Sequence, residues 1–148
     1  NGDAQKQFEK LVRSAIGPET DGERWPVMVM ATRDPGAAGM YYKRTLAENF
    51  EWAIIKGYFS DPIQMVGEAR FKDNPAVMAE VEAQVTALLS NPYIRYIPGL
   101  GALVGKIEYR IEKNTLHFTV PMTQNQAEAL FALMAQYSQK LNAKFTGP

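Results

Sequence analysis

Three stretches of the chain repeat apolar residues at the three- and four-residue spacing of an amphipathic helix. The first covers residues 3–16 and is followed by a Gly-Pro pair that stops it. The second begins at Asn74-Pro75, where Asn caps free amide groups and Pro suits the first helical turn. The third begins at Thr123, with Gln126 at the spacing of a capping box. The pattern therefore predicts three helices.

Between the first two helices, runs rich in apolar, aromatic and β-branched residues predict strands. These runs are residues 25–33, 40–46, 50–59 and 65–71. The nearly unbroken apolar character of the first run favours a central strand. In the third run, alternation places four residues on one face: Phe50, Trp52, Ile54 and Tyr58. Gly67 in the fourth run marks a β-bulge in this interpretation.

The clearest alternation lies in residues 106–120, where every second residue is apolar on each side of Lys113-Asn114. A two-residue turn at Lys113-Asn114 brings all of these apolar residues to one face, because that register pairs them across the hairpin. The predicted pairs are Ile111 with Leu116, Tyr109 with Phe118 and Ile107 with Val120. The register of this hairpin is therefore specified by the sequence.

The order of these elements predicts an α+β fold. We expect a twisted, mostly antiparallel sheet of about five or six strands with two or three helices packed on it. A chain of 148 residues suits a single domain, and residues 1–148 are predicted to form one globular α+β domain that buries its own core.

Composition narrows the possible partners. Lys and Arg total 16, as do Asp and Glu, so the formal net charge is zero and the general attraction to nucleic acid is absent. No stretch approaches the ~18 apolar residues of a membrane span. The chain starts at Asn1 without methionine, as either a processed mature protein or a trimmed piece of a longer chain would. We therefore expect a periplasmic or secreted protein, with a lipid anchor upstream of residue 1 compatible with this start.

The segment IPGLGALVGK, residues 97–106, has the glycine content of a phosphate-binding loop but not its spacing. A Walker-type loop needs glycine where Leu100 stands and Ser or Thr where Ile107 stands, and a dinucleotide fingerprint needs glycine in place of Val104. Both motifs also open a helix, whereas a strand is predicted here. No nucleotide or other cofactor is expected.

Few residues suit catalysis or metal binding. The chain has no cysteine, and its single histidine, His117, lies on the polar face of the predicted hairpin opposite Arg110. A cationic neighbour disfavours protonation of the imidazole. No serine has a Gly-x-Ser-x-Gly setting, and no carboxylate pair is singled out by spacing. No catalytic residue and no metal ligand is therefore assigned.

The segment before and within the glycine-rich stretch carries aromatic and apolar residues punctuated by proline and glycine. Tyrosine and arginine are enriched among residues that anchor protein partners. The candidate partner-binding residues are Tyr93, Arg95, Tyr96 and Leu100. The alternative is that these side chains fold back onto the core, as most apolar residues of a domain do.

The favoured functional hypothesis is a non-catalytic protein-binding domain of inhibitor, immunity or adaptor type. One alternative is a hydrolase or isomerase that uses carboxylates and tyrosines. Another is a carrier of an apolar ligand on the concave face of the sheet, lined by Trp52, Tyr58 and Tyr109. Converging carboxylates in a deep pocket favour the enzyme, a dry apolar cavity favours the carrier, and protruding tyrosines favour the protein-binding domain.

Overall fold

The computed structural model describes residues 2–18, 24–40, 43–97 and 101–146, with side chains described as far as residue 139. Five α-helices lie in these ranges: α1 (Gly2–Ile16), α2 (Arg44–Asn49), α3 (Pro75–Ser90), α4 (Gly101–Val104) and α5 (Gln124–Thr146). A 3-10 turn spans Pro92–Tyr96. The three helices predicted from the sequence are confirmed as α1, α3 and α5, and the shorter ones are additional.

Five strands form one antiparallel sheet, which confirms the predicted α+β fold. They are β1 (Met28–Thr32), β2 (Phe50–Tyr58), β3 (Gln64–Phe71), β4 (Glu108–Glu112) and β5 (Thr115–Pro121), in the order β1-β2-β3-β5-β4. The first strand is at an edge, so its predicted central position is wrong. Its apolar run is explained by contact with α1 on one face and with the core on the other.

The strand predicted at residues 40–46 is also wrong. The described part of this segment enters α2, where Leu46 is buried, and residues 41 and 42 lie outside the described ranges. The carbonyl of Lys43 accepts a hydrogen bond from the amide of Ala47 at 2.9 Å, which closes the first helical turn. The short helix α2 buries Leu46 here. The aromatic residues of segment 40–46 favoured a strand and did not indicate this helix.

Strand pairing defines the two faces of the sheet. One row crosses all five strands on the face turned towards α3 and α5, which we call the cleft face: Met30, Ile55, Gly67, Phe118 and Tyr109. The next row lies on the opposite face, which we call the α1 face: Ala31, Ile54, Glu68, His117 and Arg110. The cleft face is apolar and the α1 face is mixed.

The predicted hairpin register is confirmed. Ile111 pairs with Leu116, and Tyr109 pairs with Phe118, while Ile107 directly precedes β4. Lys113 takes a φ of 56° in the turn. Asn114 is buried and its side-chain amide donates a hydrogen bond to the carbonyl of the last residue of β3 at 2.8 Å. The turn is thereby attached to the neighbouring strand.

The β-bulge is not at Gly67, where pairing is regular on both sides. The register shifts instead between Phe50 and Trp52. Because the bulge adds one residue, Phe50 turns to the cleft face, where its ring packs edge-on against Phe71 at 5.9 Å. Phe50 therefore does not share a face with Trp52 and Ile54, contrary to the prediction.

The apolar core consists of two buried clusters at opposite ends of the cleft face. The α3 cluster is Leu46, Ala69, Phe71, Val77, Met78 and Val81. The α5 cluster is Leu103, Val120, Met122, Ala127 and Phe131. Each helix is thus fixed to its own end of the sheet, and the middle of the cleft face lies between the two clusters.

Candidate functional site

A cleft with a volume of about 710 Å³ lies between α3 and α5 over the middle of the sheet. Its floor includes three residues of the row that crosses the cleft face: Met30, Ile55 and Phe118. Val85 and Leu89 of α3 are among the residues that form one wall. Small-molecule sites are typically concave, mostly apolar and ~300–1,000 Å³ in volume, so this cleft has the size and character of a ligand site.

The floor of the cleft depends on Gly67. A Cβ atom at this position would lie 2.1 Å from Cζ of Phe118, which is far below van der Waals contact. The Phe118 ring therefore lies across β3 at a place where only glycine leaves room. This close approach explains why a central strand has glycine at this position.

The polar groups of the cleft are concentrated where the loop after β1 meets α5. The hydroxyl of Tyr137 donates a hydrogen bond to the carbonyl of Ala37 at 3.4 Å, which connects α5 to this loop. The Asp34 carboxylate accepts a hydrogen bond from the amide of Gly36 at 3.0 Å. The Thr32 hydroxyl accepts one from the amide of Asp34 at 2.9 Å. The cleft is therefore apolar along its length and polar at one end.

Among the described residues that line the cleft, two carry a charged side chain, Asp34 and Glu68. Strand alternation places the Glu68 side chain on the α1 face, where its Oε1 lies 3.4 Å from Nδ1 of His117. Asp34 is exposed at the polar end and directs its carboxylate into its own loop. The charge of the described cleft is therefore negative and is carried by Asp34.

A second, more polar pocket of about 290 Å³ lies on the α1 face beside Ser14 of α1. Its walls include Lys56, Glu68, Arg110 and His117. No hydrogen bond joins Ser14 to His117 in the described part of the chain. The His, Asp and Glu side chains of the described residues also form no group that would hold a metal ion.

His117 faces Arg110 across the hairpin, as the sequence predicts. Its side chain is only 19% exposed, and its Nε2 lies 3.7 Å from Oε2 of Glu112. Arg110 Nε donates a hydrogen bond to Oε1 of Glu112 at 2.6 Å. This bond, with the attraction between the two charges, lowers the pKa of Glu112. The imidazole therefore lies close to Glu68 and Glu112 in addition to facing Arg110.

The predicted partner-binding residues lie on the 3-10 turn, apart from Leu100, which is outside the described residues. Tyr93 and Tyr96 are 78% and 84% exposed, and Arg95 is exposed between them. Tyr93 and Tyr96 therefore do not fold back onto the core. That alternative applies to Leu103 further along the segment, which is buried in the α5 cluster.

The turn is fixed at both ends. The Asn91 side chain accepts a hydrogen bond from the amide of Tyr93 at 3.0 Å. At the other end, a Cβ atom on Gly101 would lie 2.0 Å from the carbonyl oxygen of Arg95. This close backbone approach explains why residue 101 is glycine, one of the glycines that make this segment resemble a phosphate-binding loop. The exposed tyrosines therefore lie between a side-chain cap at Asn91 and a close backbone contact at Gly101.

Of the three residues predicted to line a carrier site, Tyr109 lines the cleft. Trp52 and Tyr58 do not, because alternation along β2 turns them to the other face. Tyr58 is fully buried, with the Arg24 guanidinium 4.3 Å from its ring centre.

The α3 wall is not evident from the sequence, because Val85, Leu88 and Leu89 continue the same apolar helix face as the core residues of α3. The apolar face of α3 extends beyond the residues buried in the α3 cluster as far as Leu88, which is 57% exposed. This extra length is the feature that could have indicated a wall.

No protein-family model, curated protein or solved structure matches this chain. Among the described residues, none of the helices is both long and apolar enough to cross a membrane. Function must therefore be inferred from the cleft, the polar pocket and the exposed turn.

Proposed function

We propose that the protein binds a small apolar molecule, without catalysis, in the cleft between α3 and α5. The observation that carries this proposal is the cleft of about 710 Å³, whose described lining is predominantly Val, Leu, Ile, Met, Ala and aromatic residues. Apolar surface gains ~25 cal/mol for each Å² that a ligand removes from water. A ligand that fills the cleft would cover the middle of the sheet, which neither core cluster covers.

Contacts within the protein hold the floor and walls of the cleft in place, which favours binding. Phe118 is held over Gly67, and each wall helix is fixed by its own buried cluster. A preformed site loses less conformational entropy on binding than a site that must be ordered by its ligand. The polar end around Asp34 and Tyr137 would orient the ligand.

Two leucines provide a matched test. Leu88 lines the cleft and is 57% exposed, whereas Leu133 on α5 is 54% exposed and does not line it. We expect the neutral fluorophore N-phenyl-1-naphthylamine to bind with saturation and to fluoresce more strongly when bound. Leu88→Gln should weaken its binding about fivefold, the equivalent of ~1 kcal/mol of lost apolar contact, and Leu133→Gln should leave it unchanged. Equal affinities in both variants, or a signal that does not saturate, would contradict the proposal.

The exposed turn supports a second candidate function, a protein-binding domain of inhibitor, immunity or adaptor type. Its support is the exposure of Tyr93 and Tyr96 beside Arg95 on the 3-10 turn. Rigid aromatic and arginine side chains are frequent binding hot spots. Affinity capture from the native source should retain a partner with the wild-type protein and with Trp25→Ala, an exposed aromatic residue elsewhere. The double variant Tyr93→Ala/Tyr96→Ala should lose it, and retention by that variant would refute this candidate.

An extracytoplasmic location is part of the proposal for either function. Fractionation of the native cells tests it, and recovery of the protein with cytoplasmic markers would contradict it.

A further inference from the structure

Resting on the proposed function of the cleft, we infer that its ligand is a small cationic amphiphile. Such a molecule has an apolar body and an amine or quaternary ammonium group at one end. The body lies along the row of Met30, Ile55 and Phe118, and the cationic end lies beside Asp34.

The first support is the position of the negative charge. The polar groups of the cleft meet at one end, where the loop after β1 approaches Tyr137. Asp34 is held there by two hydrogen bonds, one from Gly36 to its carboxylate and one from its own amide to Thr32. A ligand with one polar end therefore has one orientation that brings that end to this carboxylate.

The second support is that this carboxylate has no ion-pair partner among the described residues. No Lys, Arg or His side chain lies within 4.0 Å of the Asp34 carboxylate in the described part of the chain. The adjacent Arg33 is engaged elsewhere, since its guanidinium donates a hydrogen bond to Oε1 of Gln5 on α1 at 3.0 Å. Glu68, the other acidic residue of the lining, lies beside His117 on the opposite face.

The third support is the absence of a positive group in the described lining, which contains no Lys, Arg or His. An anionic amphiphile such as a fatty acid would place its carboxylate near Asp34, or would leave it unpaired on apolar surface, and both are unfavourable. A cationic end is attracted to Asp34. The cleft therefore discriminates by charge as well as by apolar character.

A series of dodecyl compounds tests this inference, because the apolar body is constant and only the end group changes. Dodecylamine, 1-dodecanol and dodecanoate are titrated separately by calorimetry at low ionic strength, below the solubility limit of the alcohol and the micelle concentrations of the two ionic compounds. Because Asp34 is exposed, we expect the amine to bind about fivefold more tightly than the alcohol and at least about tenfold more tightly than the carboxylate. Added salt should reduce these ratios.

Asp34→Asn is the matched variant, because its side-chain oxygen still accepts the hydrogen bond from Gly36. It should reduce the preference for the amine to less than about twofold, whereas Glu82→Gln, at an exposed α3 position outside the cleft, should preserve it. Binding of dodecanoate equal to that of dodecylamine, or an undiminished preference in Asp34→Asn, would overturn the inference. If either result were obtained while N-phenyl-1-naphthylamine still bound as before, the proposed apolar site would stand and only the inference about the cationic ligand would fall. Loss of all binding in the wild type would refute both proposals.

Discussion

Replacing Gly67 with alanine adds one methyl group at the floor of the cleft. The new Cβ atom would lie 2.1 Å from Cζ and 2.4 Å from Cε1 of Phe118, so the phenyl ring has to move. Gly67 is buried and pairs with Phe118 across neighbouring strands, which limits movement of the backbone. The strain is therefore expected to fall on the side chain of Phe118 and on the residues packed around it.

The expected size follows from two opposing effects. Overpacking of a buried site costs ~1–3 kcal/mol. Replacing glycine restricts the unfolded chain and returns ~0.4–1 kcal/mol. We therefore expect Gly67→Ala to lower the free energy of unfolding by about 1–2 kcal/mol. In a domain of this size that corresponds to a decrease in Tm of about 2–8 °C.

Urea unfolding followed by circular dichroism gives the free energy, and a thermal scan gives Tm. Gly105→Ala is the control, because no atom lies within 4 Å of the Cβ that it would add. A second control is the double variant Gly67→Ala/Phe118→Leu, in which the smaller side chain should recover part of the loss. A Gly67→Ala protein as stable as Gly105→Ala, or no coupling in the double variant, would refute this explanation of the cleft floor.

Three further predictions concern the turn, the hairpin and the α1 face. Tyr96→Ala should change the free energy of unfolding by no more than ~0.5 kcal/mol, whereas Leu103→Ala should lower it by ~2–5 kcal/mol; comparable losses in urea unfolding would contradict the exposed turn. Asn114→Ala should cost ~1–3 kcal/mol in the same assay because it leaves a β3 carbonyl without its side-chain donor, and a neutral result would contradict that role. Arg110→Ala should raise the pKa of Glu112 in an NMR titration, since Arg110 lowers it in the folded protein. A lowered pKa stabilises the fold above the unfolded-state pKa and ceases to do so as pH falls through the folded value. The stability difference between wild type and Arg110→Ala should therefore narrow in acid, and a widening difference would contradict this ion pair.

The hairpin could be predicted residue by residue because alternation and a two-residue turn allow one register only. The same holds for α3, whose start is specified by Asn74 and Pro75 within local sequence: the Asn74 side chain accepts a hydrogen bond from the amide of Ala76 at 2.9 Å. Such features depend on neighbours in the chain. They are therefore visible in a single sequence.

The errors arose where distant contacts decide the structure. A β-bulge turns Phe50 to the cleft face, where its ring packs against Phe71. Neither residue indicates the bulge in the local sequence. Gly67 is needed because Phe118, on another strand, crosses it. The cleft itself exists because two helices are fixed at opposite ends of the sheet, which is a property of the assembled fold. Only Tyr109 among its lining residues was predicted as part of a ligand site.

The methionine side chains allow the central claim, ligand binding in the cleft, to be measured directly. Met30, Met40 and Met65 line the cleft, whereas Met78 and Met122 are buried in the α3 and α5 clusters. In protein labelled with ¹³C at the methionine methyl groups, titration with N-phenyl-1-naphthylamine should shift the first three resonances with saturation and leave the other two nearly unchanged. Equal shifts at all five positions, or no saturable shift at the three cleft positions, would contradict ligand binding in the cleft.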